Sequence, residues 1–316
     1  MNKDFNFEEH PWDSFLFLDI ETVARVPNLE ENTPLYDSFA YKMRYTEEAQ
    51  RKGFTERDMI DLYASKAALY PEFGKVVAIT VGKIVDEKIV LHTFRDVEEK
   101  DLLSKFMTAL QKWVIKNPSL AICGVNIKFF DLRFLYIRSI VNEIVPVKGH
   151  ISFTGFKPWE IKVADITDVW KQTSPYNAPL ACMAECLGLP SPKSDIDGSE
   201  VSSVYWNEGQ AGLNRIVEYC ERDVATTINI ARRLRFAPIL EIASDNGLEP
   251  ADEELPSLLQ RSFNLGTIVE EDKADIINRV KRSSVLERER LVDIISAIYG
   301  KSKVDENFIN QIKEAK

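Results

Sequence analysis

Four apolar residues at positions 15–18 lead directly into the acidic residues Asp19 and Glu21. The apolar run predicts a buried strand over Phe15–Asp19. Because side chains alternate along a strand, the two carboxylates should point the same way, about 6.6 Å apart along the backbone. They would repel each other unless a cation lay between them, and oxygen ligands of this kind suit Mg²⁺ or Mn²⁺. Since an Asp-x-Glu at a strand end is often only a solvated junction, the metal interpretation depends on matching acids downstream.

Two further acids occur in settings that could match. Asp131 begins a predicted helix after a short predicted strand, Leu120–Gly124, and a carboxylate is favoured at this positive end of a helix. In a second predicted helix, Gly212–Leu234, Tyr219 and Asp223 lie four residues apart and share one face. That face should turn towards the sheet, where a buried Asp needs a partner such as a shared metal. The ordinary alternatives are a first-turn helix acid at 131 and an arginine-paired surface acid at 223.

The composition is that of a globular chain with a strong acidic balance. Among 316 residues, 45% are apolar and the net charge is −10. The length fits about two domains, or one large α/β domain with an extension. The negative charge argues against a broad basic surface for duplex binding but not against a nuclease, because a metal site brings its own positive charge. The four cysteines show no paired CxxC spacing, which predicts a reduced, cytoplasmic protein. The sequence has neither a signal-like segment nor an apolar run of membrane-spanning length, so we expect no membrane contact.

The pattern along the chain predicts an α/β fold with a mixed central sheet flanked by helices. Three consecutive strands come first, with a tight turn at Asp86-Glu87, and strands then alternate with helices. A charged insertion at about 25–75 separates the first two strands, with one helix capped by Thr46 and another over Glu56–Ala68; we interpret it as a solvated excursion rather than a lid. The other predicted elements are the strands Lys75–Val85, Lys88–Phe94 and Ile161–Ile166 and the helices Asp101–Lys116, Phe130–Val141 and Leu180–Leu187.

The pattern changes after residue 245. A break and an acidic spacer lead into predicted helices over Glu271–Val280 and Val285–Ile298. We therefore divide the chain into a domain over 1–245 and a small helical C-terminal extension over 246–316. For the extension, docking on the domain, self-association and binding of a protein partner are all open.

The order of the acidic motifs resembles the three exonuclease motifs of the DEDD superfamily, which has a ribonuclease H-like fold. The motifs are D-x-E at Asp19, N-x-x-x-F-D ending at Asp131, and Y-x-x-x-D from Tyr219 to Asp223. The tyrosine is typical of the DEDDy branch, because the histidine branch would have His where Glu218 stands. The second motif is similar to that of the proofreading exonuclease domain of family-B DNA polymerases, and the likeness covers about residues 13–238. The remainder is too short for polymerase palm and fingers, so the chain resembles a stand-alone bacterial exonuclease.

The resemblance implies a role for each motif residue. Four acids would hold two divalent metal ions, Mg²⁺ or Mn²⁺. These acids are Asp19, Glu21, Asp131 and Asp223. Tyr219 would orient the attacking water. Lys193, in a segment similar to the family's K-x-x-hydrophobic element, would position the scissile phosphate, with an ordinary loop lysine as the alternative. Four residues would contact the terminal nucleotides: Ile20, Thr22, Asn126 and Phe130.

The implied activity is two-metal hydrolysis of single-stranded DNA from its 3′ end, releasing nucleoside 5′-monophosphates. A 3′–5′ exoribonuclease is an alternative, because no motif here reads a sugar 2′-hydroxyl. A non-catalytic nucleic-acid-binding module on the same fold is another. We favour the enzyme over the module, since a degenerate module has no need to keep four acids and the tyrosine, and we favour DNA 3′ ends over RNA as the partner.

Overall fold

A computed structural model describes residues 6–157, 160–191, 196–243 and 306–314, with single positions at 273, 277, 291, 292 and 295. Its centre is a five-stranded sheet in the order β3-β2-β1-β4-β5. The first three strands pair antiparallel, and β4 and β5 run parallel to β1. The strands are β1 Phe15–Ala24, β2 Gly74–Val85, β3 Lys88–Arg95, β4 Ala121–Gly124 and β5 Val163–Asp165. This mixed α/β sheet confirms the predicted fold class and is consistent with a ribonuclease H-like exonuclease.

Helices cover both faces of this sheet. None of those within the described ranges is long and apolar enough to cross a membrane. They are α1 Pro34–Met43, α2 Glu47–Gln50, α3 Glu56–Lys66, α4 Glu99–Lys116, α5 Asp131–Val141, α6 Ile166–Lys171, α7 Leu180–Cys186, α8 Val201–Leu234 and, at the C-terminal end, α9 Glu306–Glu314.

Strand β1 is longer than the sequence predicts. It continues past Asp19 to Ala24, because the residues after Glu21 keep pairing with β2 as far as Gly74. The register shifts between Glu21 and Thr22, so that Val77 of β2 is the additional residue of a β-bulge. A bulge bends the strand and re-aims its side chains, which is a common device beside functional sites. The D-x-E motif therefore lies within a strand rather than at its end.

The alternation of β1 assigns its residues to two different cores. Leu16, Leu18 and Ile20 pack with α4 and α5 on one face of the sheet. Phe15 and Phe17 face α8 on the other side, in a cluster with apolar residues of that helix. Asp19 and Glu21 continue this second series, so they point towards α8 where apolar residues would otherwise stand. The sheet thus carries the two acids beneath the helix that bears Tyr219 and Asp223.

Helix α8 begins earlier than predicted. The helix runs from Val201, and a break at Gly209, with φ of 56°, separates a first segment from the predicted one. Such a φ strains any residue with a side chain, which is why glycine stands there. The prediction placed the start at Gly212 because a glycine-containing stretch resembles a boundary in sequence. The first segment instead packs Val201 and Val204 against Val23 of β1.

The insertion between β1 and β2 is a folded unit rather than the solvated excursion we predicted. Helices α1 and α3 enclose a separate apolar cluster centred on Phe39, Met43 and Tyr63. The predicted cap is confirmed, since the Thr46 side chain accepts a hydrogen bond from the backbone of α2. Helix α1 was not predicted, although Pro34 at its first turn and a capping Thr33 are ordinary start signals. Its core requires contacts across more than one helix, which a single-segment pattern does not display.

The C-terminal extension lies mostly outside the described residues. The predicted helices Glu271–Val280 and Val285–Ile298 fall there except for the five single positions, which are helical. Helix α9 was not predicted, and its Phe308 and Ile312 are buried in the same apolar cluster as α4. The end of the chain therefore packs against the face of the sheet opposite α8.

Helix α8 packs closely over Gly82 of β2. A Cβ atom there would lie 2.8 Å from Val224 Cγ1 and 2.9 Å from Ile228 Cδ1. Replacing Gly82→Val should lift α8 and destabilise the protein by about 1–3 kcal/mol, because overpacking forces side chains off their rotamers. Urea unfolding measures this, with Gly198→Ala as the control, since a methyl group there meets only the Tyr219 hydroxyl, at 3.8 Å. Equal midpoints for both variants would contradict the close packing.

Candidate active site

The first part of the site is formed where β1 passes beneath α8. Ligand atoms of Asp19, Glu21 and Cys220 all lie within 4.8 Å of one another. The Cys220 thiol lies 3.5 Å from Asp19 Oδ2 and 3.6 Å from its backbone oxygen. Glu21 is only 8% exposed. The predicted pairing of the two carboxylates on one face of a strand is thus the observed geometry, with a thiol of the covering helix between them.

Asp131 reaches the same place from the other side of β1. It is the first residue of α5 and is 2% exposed. Its Oδ1 accepts a hydrogen bond from the backbone N–H of Ile20 at 3.1 Å. That N–H is available because the ladder between β1 and β4 stops at Phe17 and Cys123. The carboxylate of Asp131 is therefore held at the N-terminus of α5, against the backbone of the residue that separates the two acids of the D-x-E motif.

Tyr219 and Asp223 complete the group from α8. One helical turn separates them, and their side chains hydrogen-bond to each other. Asp223 Oδ1 is buried, and within the described part of the chain it has no hydrogen-bond partner. A buried anionic oxygen without a partner is unfavourable, so this atom is suited to a ligand that the protein itself does not supply.

Burial and mutual repulsion govern the charge state of these acids. Burial raises the pKa of Asp19 to about 7, although hydrogen bonds from Cys220 and Ile20 act in the opposite direction. Burial, then the charge of Asp19, raises the pKa of Asp223 to about 8, while the hydrogen bond from Tyr219 lowers it. The pKa of Glu21 and that of Asp131 are raised well above their usual range, first by burial and then by the Asp19 charge. The four acids therefore resist being anionic together unless a cation joins them.

This donor set fits divalent metal ions. Hard cations such as Mg²⁺ and Mn²⁺ prefer carboxylate oxygens, and the site offers four carboxylates with an oxygen of Asp223 left unpaired. Burial and repulsion raise their pKa values, and a bound cation would offset both by stabilising the charged carboxylates. The chemistry of the residues thus supports metal binding on grounds that are independent of any family likeness.

A polar network that the sequence did not indicate supports the site from below. Thr80 of β2 hydrogen-bonds the Cys220 thiol. Its hydroxyl lies 2.9 Å from that of Thr93 on β3, and Thr93 donates to Glu221 Oε1 at 2.8 Å. Thr80 is fully buried. The network ties three neighbouring elements together directly under Asp19, and no spacing within the sequence relates these residues.

Asp165, at the end of β5, was also missed. Its carboxylate accepts hydrogen bonds from the backbone N–H groups of Asn126 and Lys128, each within about 3.1 Å. This fixes the loop that carries the second motif, in which Asn126 has a positive φ of 57°. The sequence offered one signal for this residue, an Asp close to the end of the predicted strand Ile161–Ile166.

The structure brings only some of the residues predicted to contact the nucleotide close to the acids. The Ile20 side chain is buried in the α4 face, away from the acids. The Thr22 hydroxyl donates to Ala68 O at 2.7 Å and so holds the insertion. These two side chains are therefore not brought to the site. Phe130 is half-buried and its ring lies 5.6 Å from that of Phe134, at the entry to α5. Lys193 lies outside the described residues.

Fold and site together define a carboxylate-centred, nuclease-type hydrolase. A family described as "Predicted 3′–5′ exonuclease related to the exonuclease domain of PolB" matches residues 69–239, more than half of the chain. The protein belongs to this family, and the predicted resemblance is confirmed. No curated protein matches the chain. The match includes Asp131 and Tyr219 but starts after Glu21, so it is the sheet that joins the first motif to the others.

The repulsion among the acids predicts how stability depends on pH in metal-free protein. A raised carboxyl pKa means that the folded state holds the proton more tightly than the unfolded chain. Its stabilising contribution is complete at pH values below the unfolded pKa, near 3.8 for Asp, and is lost as the pH rises through about 7 for Asp19 and about 8 for Asp223. In EDTA, the Tm should therefore fall between about pH 4 and about pH 8 and then level off, and Asp223→Asn should flatten that fall.

Thermal melts across this range test the prediction, and saturating Mn²⁺ should remove most of the fall. Glu218→Gln is the matched control, because this side chain is exposed on the other side of α8. A wild-type Tm that stays level in EDTA would contradict the proposed repulsion.

Proposed function

We propose that this protein is a metal-dependent 3′–5′ exonuclease of the DEDDy type that acts on single-stranded DNA. The observation that carries the proposal is the convergence of acids from β1, α5 and α8 at one buried position beside a tyrosine. Membership of a predicted 3′–5′ exonuclease family supports it. The subtype, the strand and the products below are our inference from these residues.

In this proposal the four acids hold two divalent ions, Mg²⁺ or Mn²⁺. When bound, such ions stabilise the charge that develops on the attacking and leaving oxygens of a phosphodiester. Asp223 offers the oxygen that has no partner within the described protein. Asp131 is held in place by the backbone of Ile20, so its carboxylate is oriented before any ligand arrives.

We assign to Tyr219 the role of orienting the attacking water. Burial, then the charge of Asp223, raises the pKa of the Tyr219 hydroxyl above its usual value. The hydroxyl therefore keeps its proton at neutral pH and acts through hydrogen bonds without adding charge. The water oxygen bonds to phosphorus, the bond from phosphorus to the 3′ oxygen breaks, and a proton passes to that oxygen. The products are a nucleoside 5′-monophosphate and a strand shortened by one nucleotide.

The burial of the acids supports a single-stranded substrate. Asp131 is 2% exposed and Glu21 is 8% exposed. A terminal phosphodiester reaches them only if its nucleotide leaves a base pair, and unpairing costs a few kcal/mol in a duplex but nothing in a single strand. We favour DNA because the family is related to a DNA polymerase exonuclease domain.

A gel assay with 5′-labelled single-stranded DNA and matched RNA tests the function. Wild-type protein should shorten the DNA from its 3′ end in Mg²⁺ or Mn²⁺ and not in EDTA. Asp223→Ala and Asp19→Ala should each lower the rate about a hundredfold or more, because several kcal/mol of charge stabilisation are lost. Glu218→Ala is the control, since it removes an exposed acid next to Tyr219 and should keep the wild-type rate.

The outcomes separate the alternatives. Faster shortening of RNA would make the protein an exoribonuclease. Binding of either strand without cleavage in any metal would favour a non-catalytic module. Normal turnover by the Asp19→Ala protein would refute the assigned role of the acids.

Removing only the tyrosine hydroxyl should separate chemistry from metal binding. For Tyr219→Phe, kcat should fall about 10²-fold, in the range typical of a lost positioning or proton-transfer group, while Mn²⁺ affinity measured by calorimetry changes little. Asp223→Asn, in contrast, should lose both. A Tyr219→Phe protein that turns over normally would remove this residue from the mechanism.

A further inference from the structure

Two tyrosines of the insertion have most of their surface exposed to solvent. Tyr41 is 68% exposed and Tyr45 is 74% exposed, at the end of α1 and just after it. The Arg44 guanidinium lies between them, 3.3 Å from the centroid of the Tyr41 ring and 4.4 Å from that of Tyr45. This group presents two aromatic surfaces and a cation to the solvent, which is the combination on which nucleobases and phosphates bind.

A series of contacts leads from Lys42, the neighbour of Tyr41 in α1, to the first turn of α5. Lys42 Nζ lies over the Tyr70 ring, 5.3 Å from its centroid, and 4.0 Å from Glu72 Oε1. The same Glu72 oxygen is 3.2 Å from Arg133 Nη2. Arg133 lies in the first turn of α5, two residues after Asp131. The surface therefore leads from the helix that carries a site acid, through the insertion, to the exposed tyrosines.

Three cations lie along this surface, on a protein with a net charge of −10: Lys42, Arg44 and Arg133. Glu72 pairs with two of them, and the acids Asp37 and Glu47 are exposed nearby along the chain. The Lys42 and Arg133 side chains are 43% and 45% exposed, so both remain accessible to a phosphate. A polyanion would find locally favourable potential here on an otherwise acidic surface.

The insertion is also fixed relative to the site. Thr22, next to Glu21, donates to Ala68 O at 2.7 Å. The buried Arg138 of α5 donates to Pro71 O at 3.2 Å and is paired with Glu99. These bonds hold both ends of the Ala68–Glu72 segment against β1 and α5. The apolar cluster of Phe39 and Met43 with Ala24 and Phe73 extends this anchoring to the helix that carries Tyr41.

We infer that this surface is a track for the single strand upstream of the nucleotide being removed, an inference that rests on the proposed nuclease function. The track consists of Arg133, Lys42, Tyr70, Tyr41, Arg44 and Tyr45. Bases stack on the tyrosine rings and phosphates pair with the three cations. Stacking tolerates any base, which suits an enzyme that must hold successive nucleotides of arbitrary sequence. The insertion thus provides a binding surface for a polyanion on a protein with a negative net charge.

Binding and turnover on strands of different length test the track. The double variant Tyr41→Ala/Tyr45→Ala should bind a fluorescein-labelled strand longer than ~16 nucleotides about tenfold more weakly, measured by anisotropy in an Asp223→Ala background. The ratio of kcat/KM on this strand to kcat/KM on a dinucleotide should fall by a similar factor, because a dinucleotide has no upstream bases to stack on Tyr41 and Tyr45. Arg44→Ala should reduce the slope of log Kd against log salt by about 0.7.

Matched variants separate the track from a folding defect. Tyr41→Phe/Tyr45→Phe keeps both rings and should restore binding. Arg57→Ala, which removes an arginine of the same insertion that is 79% exposed and paired with Asp61, should leave the salt slope unchanged. Thermal melts confirm that each protein is folded.

Failure of the inference and failure of the function give different results. A wild-type protein that degrades both substrates, with an alanine double variant showing an unchanged ratio and unchanged affinity, would overturn the track and leave the nuclease intact. Loss of binding in the phenylalanine variant equal to that in the alanine variant would overturn stacking. A folded wild-type protein that neither binds nor cleaves single strands would refute the proposed function and the track with it.

Discussion

The crowding of four carboxylates around one position is the constraint on which this structure depends. Glu21 and Asp131 are buried, and Asp19 and Asp223 are half-buried. Burial raises the pKa of all four, and the charge of Asp19 raises that of the other three further. Left alone, such a group would separate or take up protons. The fold prevents separation by attaching the acids to rigid elements: a central strand, the N-terminus of α5 and one turn of α8. The packing that keeps the carboxylates together therefore makes their charged forms unfavourable in the free protein. A bound cation would relieve this, so the same packing favours metal binding.

The stability that this arrangement requires comes from apolar contacts on both sides of the acids. Phe15 and Phe17 precede them on the α8 face, and Val23 follows them. Gly82 allows α8 to lie close enough for Val224 to touch β2. The polar interruption is therefore confined to a short stretch of an otherwise apolar interface. Hydrogen bonds from Ile20 and from Cys220 then offset part of the desolvation of the carboxylates.

Local periodicity explains how much of the site could be predicted from the sequence. The common face of Asp19 and Glu21 follows from strand alternation, and that of Tyr219 and Asp223 from the helical repeat, and both are observed. The length of β1, the start of α8 and the insertion core were missed because each depends on pairing partners distant in sequence. Asp165 and the network through Thr80 were missed for the same reason. The catalytic roles of the acids, of Tyr219 and of Lys193 remain predictions, as does the nucleotide contact of Asn126.

The charge distribution connects the site to its surroundings. A chain with a net charge of −10 repels nucleic acid overall, so contact with a polyanion depends on positions where cations are concentrated. The metal centre is one such position in the proposed mechanism, and the proposed track from Arg133 to Arg44 is another. The hydrogen bonds of Thr22 with Ala68 and of Arg138 with Pro71 connect the two, so a strand held by both would be aligned with the acids. Each cut shortens the strand by one nucleotide, and a second holding position would keep the new 3′ end close to the acids for the next cut.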